Sequence, residues 1–93
     1  MRTIDRSSAF KRDYKRVAKG RYRTVLDESL IPVLQALIND QPLEQNQRDH
    51  DLSGDWAGYR ECHIKPDLLL IYRKSNSDIL RLARLGSHSE LFG

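Results

Sequence analysis

The sequence has only one cysteine, Cys62, and no long hydrophobic run. A single cysteine cannot form an internal disulfide, which agrees with a reducing compartment. No apolar stretch approaches the roughly 20 residues that span a bilayer. The N-terminus also lacks the apolar segment of a signal peptide. We therefore expect a protein that stays in the cytoplasm and has no membrane partner.

The chain is also short, with 93 residues, and it contains no internal repeat, low-complexity tract or linker. Single domains usually need roughly 100 to 200 residues, so a second domain would not fit. The chain is 39% hydrophobic and 31% charged, which is typical of a globular protein with one core. We expect residues 1–93 to form a single domain.

Positive charge is concentrated at the N-terminal end. Residues 1–23 contain nine Lys and Arg against two Asp, a local balance of +7, whereas the other seventy residues sum to −4. Clustered Lys and Arg favour a polyanionic partner, because they make phosphate contacts and release counterions. A solvated helix face explains the same charge equally well.

The first helix is predicted from residue 8 onward, after a short edge strand at Thr3 to Asp5. Ser7 or Ser8 is suited to the N-cap position, and Gly20 provides a stop signal. The apolar residues with the spacing of one helical face are Phe10, Tyr14, Val17 and Ala18. The basic residues on the other faces are Lys11, Arg12, Lys15, Arg16 and Lys19.

A second helical pattern contains Pro32, which an interior helical position tolerates poorly. If Ser29 is the N-cap, Pro32 lies in the first turn, where it is accepted; otherwise the helix is kinked there. Residues 39–42 end the helix, and the polar run 43–51 is predicted as a loop that carries His50. The apolar residues of the pattern are Val25, Leu26, Leu30, Val33, Leu34, Leu37 and Ile38.

After Gly58 the sequence alternates with a period of two, as a strand does. Residues 65–67 form a tight turn, and the apolar run 68–72 is predicted as a central strand buried on both faces. A second turn at 75–78 leads to the last strand, at 79–85. In the first of these strands, one face carries Tyr59, Glu61 and His63. The other face carries Arg60, Cys62 and Ile64.

Ser87 and Glu90 have the spacing of a capping box, which predicts a short C-terminal helix. The whole pattern indicates an α+β fold, in which two N-terminal helices pack on one face of a small, mainly antiparallel sheet. The other face of the sheet would then be free to bind a partner.

Three histidines and one aspartate are candidates for acid–base chemistry, because imidazole gains or loses a proton near neutrality. The predicted hairpin brings His63 close to Asp67, and the last strand would bring His88 to the same edge, whereas His50 lies on the preceding loop. Cleavage of RNA through its own 2′-hydroxyl needs a base, an acid and positive charge near the phosphorane. Arg84, four residues before His88, is a candidate for that charge.

Each of these residues also has a plainer explanation. A lone histidine is more often a surface or hydrogen-bonded residue than a catalyst. Trp56, Tyr59 and Phe92 are suited to stacking on a base, but equally to packing. Three histidines and an aspartate would also suit zinc, although no pair has the close spacing typical of a metal site. Cys62 is predicted to be a small buried hydrophobic residue.

The second half of the chain has a specific order of residues. They are Asp49-His50, Leu52, Gly54, Trp56 to Arg60, His63, Pro66-Asp67, Leu70 to Tyr72, Arg84, Gly86 to His88, and Leu91 to Gly93. In this order and spacing the chain resembles the YafQ group of RelE-like toxins from bacterial toxin–antitoxin modules. The resemblance covers nearly the whole chain.

The resemblance implies a ribosome-dependent endoribonuclease that cleaves messenger RNA in the A site, needs no metal or cofactor, and is neutralised by a cognate antitoxin. It implies that Asp67 and His88 are central in proton transfer. The full catalytic set that it implies is His50, His63, Asp67, His88 and Phe92. The RNA-binding residues would be Arg84 and the basic helix residues Lys11, Arg12, Lys15, Arg16 and Lys19, which would face ribosomal RNA.

The chain departs from the family pattern at few positions. Ser87 stands where the family has Thr, which keeps the hydroxyl and its capping role. Pro32 and one or two extra residues between positions 21 and 29 alter the second helix, which bears on contacts with antitoxin or ribosome. Two other functions share the scaffold: inhibition by binding alone, as in the related ParE toxins that act on gyrase, and simple RNA or antitoxin binding.

Overall fold

A computed structural model describes residues 1–93. The strands are β1 (Thr3–Arg6), β2 (His50–Asp51), β3 (Arg60–Lys65), β4 (Leu68–Lys74) and β5 (Ile79–Gly86), and the helices are α1 (Ser8–Ala18), α2 (Leu26–Ile38) and α3 (His88–Phe92). One sheet contains all the strands in the order β1-β5-β4-β3-β2. Strand β1 runs parallel to β5, and every other pair is antiparallel. The predicted α+β fold is confirmed.

Helices α1 and α2 pack on one face of the sheet, where the main core lies. From the helices, this core includes Phe10 and Val33, and from the sheet it includes Cys62 and Leu70. Every residue from Leu68 to Tyr72 is at most 1% exposed, as predicted for a central strand. Cys62 is fully buried, as predicted, and burial raises the pKa of its thiol. No helix is both long and apolar enough to cross a bilayer.

The opposite face is not free, which corrects the expectation from the sequence. Leu69, Ile71 and Ala83 form a second buried cluster there, together with Leu91 of α3. Leu52, Trp56 and Tyr59, from the segment between β2 and β3, pack against this second cluster. The rings of Trp56 and Tyr59 meet edge to face at 5.3 Å, so their role in packing is confirmed.

The structure decides one alternative that the sequence left open, and it corrects the prediction for His50. Ser29 is not an N-cap, because α2 begins three residues earlier, and Pro32 therefore lies inside the helix. The N-cap residue of α2 is Val25, whose side chain makes no capping hydrogen bond, so sequence gave no signal for this start. His50 lies on the short strand β2 rather than on a loop. The predicted start of α1 is confirmed, since Ser7 accepts a hydrogen bond from the N–H of Phe10.

Candidate active site

The strand register places several predicted catalytic residues at one end of the sheet. His63 of β3 pairs with Leu69 of β4, which pairs with Gly86 of β5. Neighbouring strands lie about 4.8 Å apart, so His63 and Gly86 are separated by about 10 Å across the sheet. Asp67 lies in the turn that joins β3 to β4, and His88 begins α3 just after Gly86. This end of the sheet, with His50 beside it, is called the catalytic end below.

His50 is held by two acceptors, one at each ring nitrogen. Its Nδ1 lies 2.7 Å from the carbonyl oxygen of Arg48, and a carbonyl oxygen can only accept, so Nδ1 carries the hydrogen. Its Nε2 lies 3.2 Å from Oε2 of Glu61, whose side chain is 7% exposed. A proton on Nε2 would make the ring an imidazolium that the Glu61 carboxylate attracts. The ring is therefore held between a backbone carbonyl and a nearly buried carboxylate.

Asp49, the residue before His50, anchors β2 to the main core. Its carboxylate accepts hydrogen bonds from Nε and Nη2 of Arg60, at 3.3 and 3.0 Å, and from the hydroxyl of Tyr72. Burial and the bond to Asp49 raise the pKa of the Tyr72 hydroxyl, so the hydroxyl remains a donor. The contacts of Asp49 fix the backbone from which His50 projects.

Helix α3 carries His88 and Phe92. The predicted capping box is confirmed, because Ser87 Oγ accepts from the N–H of Glu90 at 3.2 Å, and Oε1 of Glu90 accepts from the N–H of Ser87 at 2.8 Å. That backbone hydrogen bond holds the pKa of Glu90 below its ordinary value. Leu91 anchors the helix in the second cluster. The exposed rings of His88 and Phe92 lie 5.0 Å apart.

The catalytic end has two surface depressions rather than one pocket. The first, of about 610 Å³, is lined by His63 together with Arg48 and Lys65. The second, of about 430 Å³, is lined by Asp67 and Ser87 together with Arg16 and Arg21 of the basic N-terminal part. His50 and His88 line neither depression. The structure thus gathers the predicted catalytic residues at one end of the sheet without enclosing them in one cavity.

The predicted RNA-binding residues fall into two groups. Arg84 is bound to Asp13, with Nε at 2.6 Å and Nη2 at 3.2 Å from its carboxylate, and Arg16 is bound to Asp13 and Glu90. The other four are exposed and form no ion pair; they are Lys11, Arg12, Lys15 and Lys19. The positive charge of α1 and its C-cap residue that no carboxylate offsets therefore lies on these four side chains.

Sequence reasoning missed the roles of Glu61, Asp49 and Asp13. For Glu61 the sequence held no local signal, because its partner His50 lies on a different strand. For Asp13 the signal was its position at the helical spacing of Phe10 and Val17, which places it within the apolar face of α1. No three or more His, Cys, Asp or Glu side chains lie close enough together to hold a metal ion.

Comparison with known proteins identifies the family. A family model described as "Bacterial toxin of type II toxin-antitoxin system, YafQ" matches residues 2–93. This chain belongs to the YafQ family. The mRNA interferase toxin YafQ of Escherichia coli K12 is 37% identical to it over 94 residues, which cover 99% of this chain and 97% of that protein. The resemblance noted in the sequence is confirmed.

Solved YafQ structures have the same fold. The E. coli DinJ–YafQ complex matches with a TM-score of 0.85 and 36% identity, and the match covers all of both chains. A metal-bound toxin from Helicobacter pylori matches with a TM-score of 0.87 and 44% identity, over 99% of this chain and all of that one. The strands and helices that form the catalytic end are therefore those of the YafQ fold.

Proposed function

We propose that this protein cleaves messenger RNA in the ribosomal A site, by metal-independent acid–base catalysis through the RNA 2′-hydroxyl. It is the toxin of a type II toxin–antitoxin system, and its class of activity is that of an mRNA interferase, an endoribonuclease. The comparisons favour this function over inhibition by binding alone, because the E. coli relative is named an mRNA interferase.

The observation that carries the mechanism is the strand register at the catalytic end. It brings His63, the turn with Asp67 and the start of α3 with His88 to the same end of three adjacent strands. The reaction needs one group to take the proton of the 2′-hydroxyl and another to give a proton to the 5′-oxygen. Imidazole and carboxylate groups near one another supply both.

Each predicted catalytic residue has a role in this proposal. Asp67 and His88 carry the central proton transfer, and His63 assists from the neighbouring depression. His50 also assists, and its ring is held between the carbonyl of Arg48 and the carboxylate of Glu61. Phe92 lies beside His88 and is 37% exposed, so its ring is available to stack on the base next to the scissile bond.

The basic residues of α1 would hold ribosomal RNA. Lys11, Arg12, Lys15 and Lys19 are exposed and unpaired, which leaves their full charge available for phosphate contacts. Arg16 and Arg84 belong to the same RNA-binding set, but Asp13 offsets part of their charge. Arg16 also lines the depression that contains Asp67, so it is placed to reach a phosphate near the reacting bond.

The partners follow from the family. DinJ is the antitoxin in the solved E. coli complex, and we infer that a cognate antitoxin of the same kind neutralises this toxin. The other partners are the ribosome and messenger RNA, which places the action in the cytoplasm. The H. pylori relative was solved with metal bound, so the proposal that this chain needs none requires a direct test.

The test is cleavage of a messenger RNA by the purified toxin, with and without translating ribosomes, in the presence of a chelator. We expect cleavage with ribosomes only, unaffected by the chelator. The His88→Ala variant should cleave about 100- to 10,000-fold more slowly, while Ser77→Ala, at an exposed serine in the turn between β4 and β5, serves as the control. Cleavage abolished by the chelator would contradict the metal-independent mechanism, and equal rates for both variants would remove His88 from it.

A further inference from the structure

Strand β5 loses its strand partner halfway along one edge. Strand β1 pairs with it only as far as Leu82. Beyond Leu82, the backbone of β5 along this edge forms hydrogen bonds with side chains of α1 and of its N-cap residue Ser7. Ser7 Oγ donates to the carbonyl of Ala83 at 2.7 Å, Asp13 accepts from the N–H of Leu85 at 3.0 Å, and Arg16 donates to the carbonyl of Leu85 at 3.1 Å.

Asp13 is the centre of this contact. Its side chain is 4% exposed, and it accepts from Arg84, from the N–H of Leu85 and from Nη1 of Arg16, the last at 2.9 Å. Burial raises the pKa of Asp13, but the hydrogen bonds from Arg84, Leu85 and Arg16 lower it, and the net pKa is below the ordinary value. A buried carboxylate is stable only with donors of this kind.

Arg16 extends the contact from Asp13 to α3. Its Nε lies 3.1 Å from Oε2 of Glu90, and Oε1 of the same carboxylate caps the N-terminus of α3 through the N–H of Ser87. The guanidinium passes so close to Gly86 that a Cβ there would lie 2.8 Å from Nη2 of Arg16 and 3.0 Å from Oε1 of Glu90. The absence of a Cβ at Gly86 thus leaves room for the guanidinium of Arg16 and the carboxylate of Glu90 to meet.

We propose that Asp13 is a positioning residue for α3, which it reaches through Arg16 and through the backbone of β5. It sets where His88 and Phe92 stand relative to Asp67, although its own buried carboxylate touches no RNA. The catalytic part of this inference rests on the proposed function. The structural part does not, because the placement of α3 is measurable in the toxin alone.

The first test compares Asp13→Asn with Asp5→Asn by amide hydrogen exchange. Asp5 is a matched control, since it also bridges the N-terminal segment to an arginine of β5, Arg81, but it lies on the surface away from α3. The reporters are the N–H groups of Leu91 and Gly93, which bond to carbonyls within α3. In Asp13→Asn we expect these amides to exchange about tenfold faster or more, relative to the amides of β4.

The amides of β4 distinguish positioning from a general loss of stability. If every amide of Asp13→Asn exchanges faster by the same factor, Asp13 acts only on overall stability, and the inference is overturned. Unchanged exchange in α3 overturns it as well. In Asp5→Asn, the α3 amides should keep the rates of the unsubstituted toxin relative to β4.

A second variant breaks the link at Arg16. Arg16→Gln removes the guanidinium that joins Asp13 to Glu90 while Asp13 remains, so it should loosen α3 in the same way. Arg12→Gln is its control, because Arg12 is an exposed arginine of the same helix and forms no ion pair. If Asp13→Asn does not fold, this pair decides the inference, and an Arg16→Gln protein with α3 exchange equal to that of Arg12→Gln overturns it.

Ribosome-dependent cleavage then adds the catalytic readout. With Asp13→Asn we expect kcat to fall about tenfold and the KM for ribosomes to change by less than about twofold, because α3 moves while the basic residues of α1 remain. A change in KM alone would contradict a role in positioning His88. If the unsubstituted toxin does not cleave at all but α3 loosens as expected, the proposed function fails and the positioning role of Asp13 is supported.

Discussion

Glu61 lies opposite His50 in the pairing of β2 with β3, and its nearly buried carboxylate approaches Nε2 of that histidine to 3.2 Å. The other nitrogen of the ring is occupied by a backbone carbonyl. A short edge strand is thus joined to the rest of the sheet by a polar contact at a predicted catalytic side chain. The carboxylate of Glu61 and the carbonyl of Arg48 together orient the ring of His50.

Replacing Glu61 by Gln should lower the rate of messenger RNA cleavage by about tenfold or more, since the neutral amide lacks the charge of the carboxylate that contacts Nε2 of His50. Single-turnover cleavage on translating ribosomes measures the effect. Glu28→Gln provides the control, because Glu28 is an exposed acid on the first turn of α2. A rate within about twofold of the control would show that His50 acts without help from Glu61.

Replacing Tyr72 by Phe should lower the free energy of unfolding by about 1 to 3 kcal/mol, because Asp49 loses a hydrogen bond to its charged group. For a domain of this size, each kcal/mol corresponds to a fall in Tm of about 4 to 8 °C. Thermal unfolding followed by circular dichroism gives the value. Tyr22→Phe, at a half-buried tyrosine whose hydroxyl makes no hydrogen bond, should leave Tm nearly unchanged.

Exchanging Lys11 and Lys15 for Gln should weaken ribosome binding and make it less sensitive to salt, because two phosphate contacts are lost. The slope of log affinity against log salt should fall by about 1.4 to 1.8. Binding titrations at several salt concentrations measure it. The double variant Lys74→Gln and Arg81→Gln has the same net charge but alters residues already paired with acids, so an equal loss of slope there would argue against a specific role for α1.

The acid stability of the toxin should depend on Asp13. Its pKa in the folded state is below the ordinary value of 3.8, so the folded state binds its proton less readily than the unfolded state. The stabilisation is therefore complete above about pH 5 and is lost as the pH falls through the folded-state pKa. Urea unfolding between about pH 6 and pH 3 should show a shallower fall in stability for Asp13→Asn. An identical fall in both proteins would refute this.

The sequence was a good guide where a local pattern decides the structure. The run Leu68 to Tyr72 had to be buried on both faces, and Ser87 with Glu90 had to cap a helix, since these signals depend on neighbours in the chain. The hairpin that brings His63 near the turn with Asp67 followed from the tight turn at 65–67. The α+β arrangement and the common end of the sheet for these two candidate residues were therefore predictable.

The residues that fix the site were not predictable in the same way. The contact between Asp13 and Arg84 spans 71 positions of the chain, and no periodicity marks it. The start of α2 at Leu26 has no capping side chain, so tertiary packing outweighed the stronger local signal at Ser29. The second face of the sheet is covered by Leu91 and Trp56, which are far apart in sequence and reach the same cluster only once the sheet has formed.

The parallel pairing of β1 with β5 has a consequence for biosynthesis. Thr3 at the start of the chain pairs with Ile79, and α1 bonds to the edge of the same strand, so the first elements to leave a ribosome have no partner until nearly the last ones follow. Contacts this distant in sequence form late and slow folding. The pairing of β1 with β5 and the hydrogen bonds of α1 to β5 can therefore form only after β5 has been synthesised.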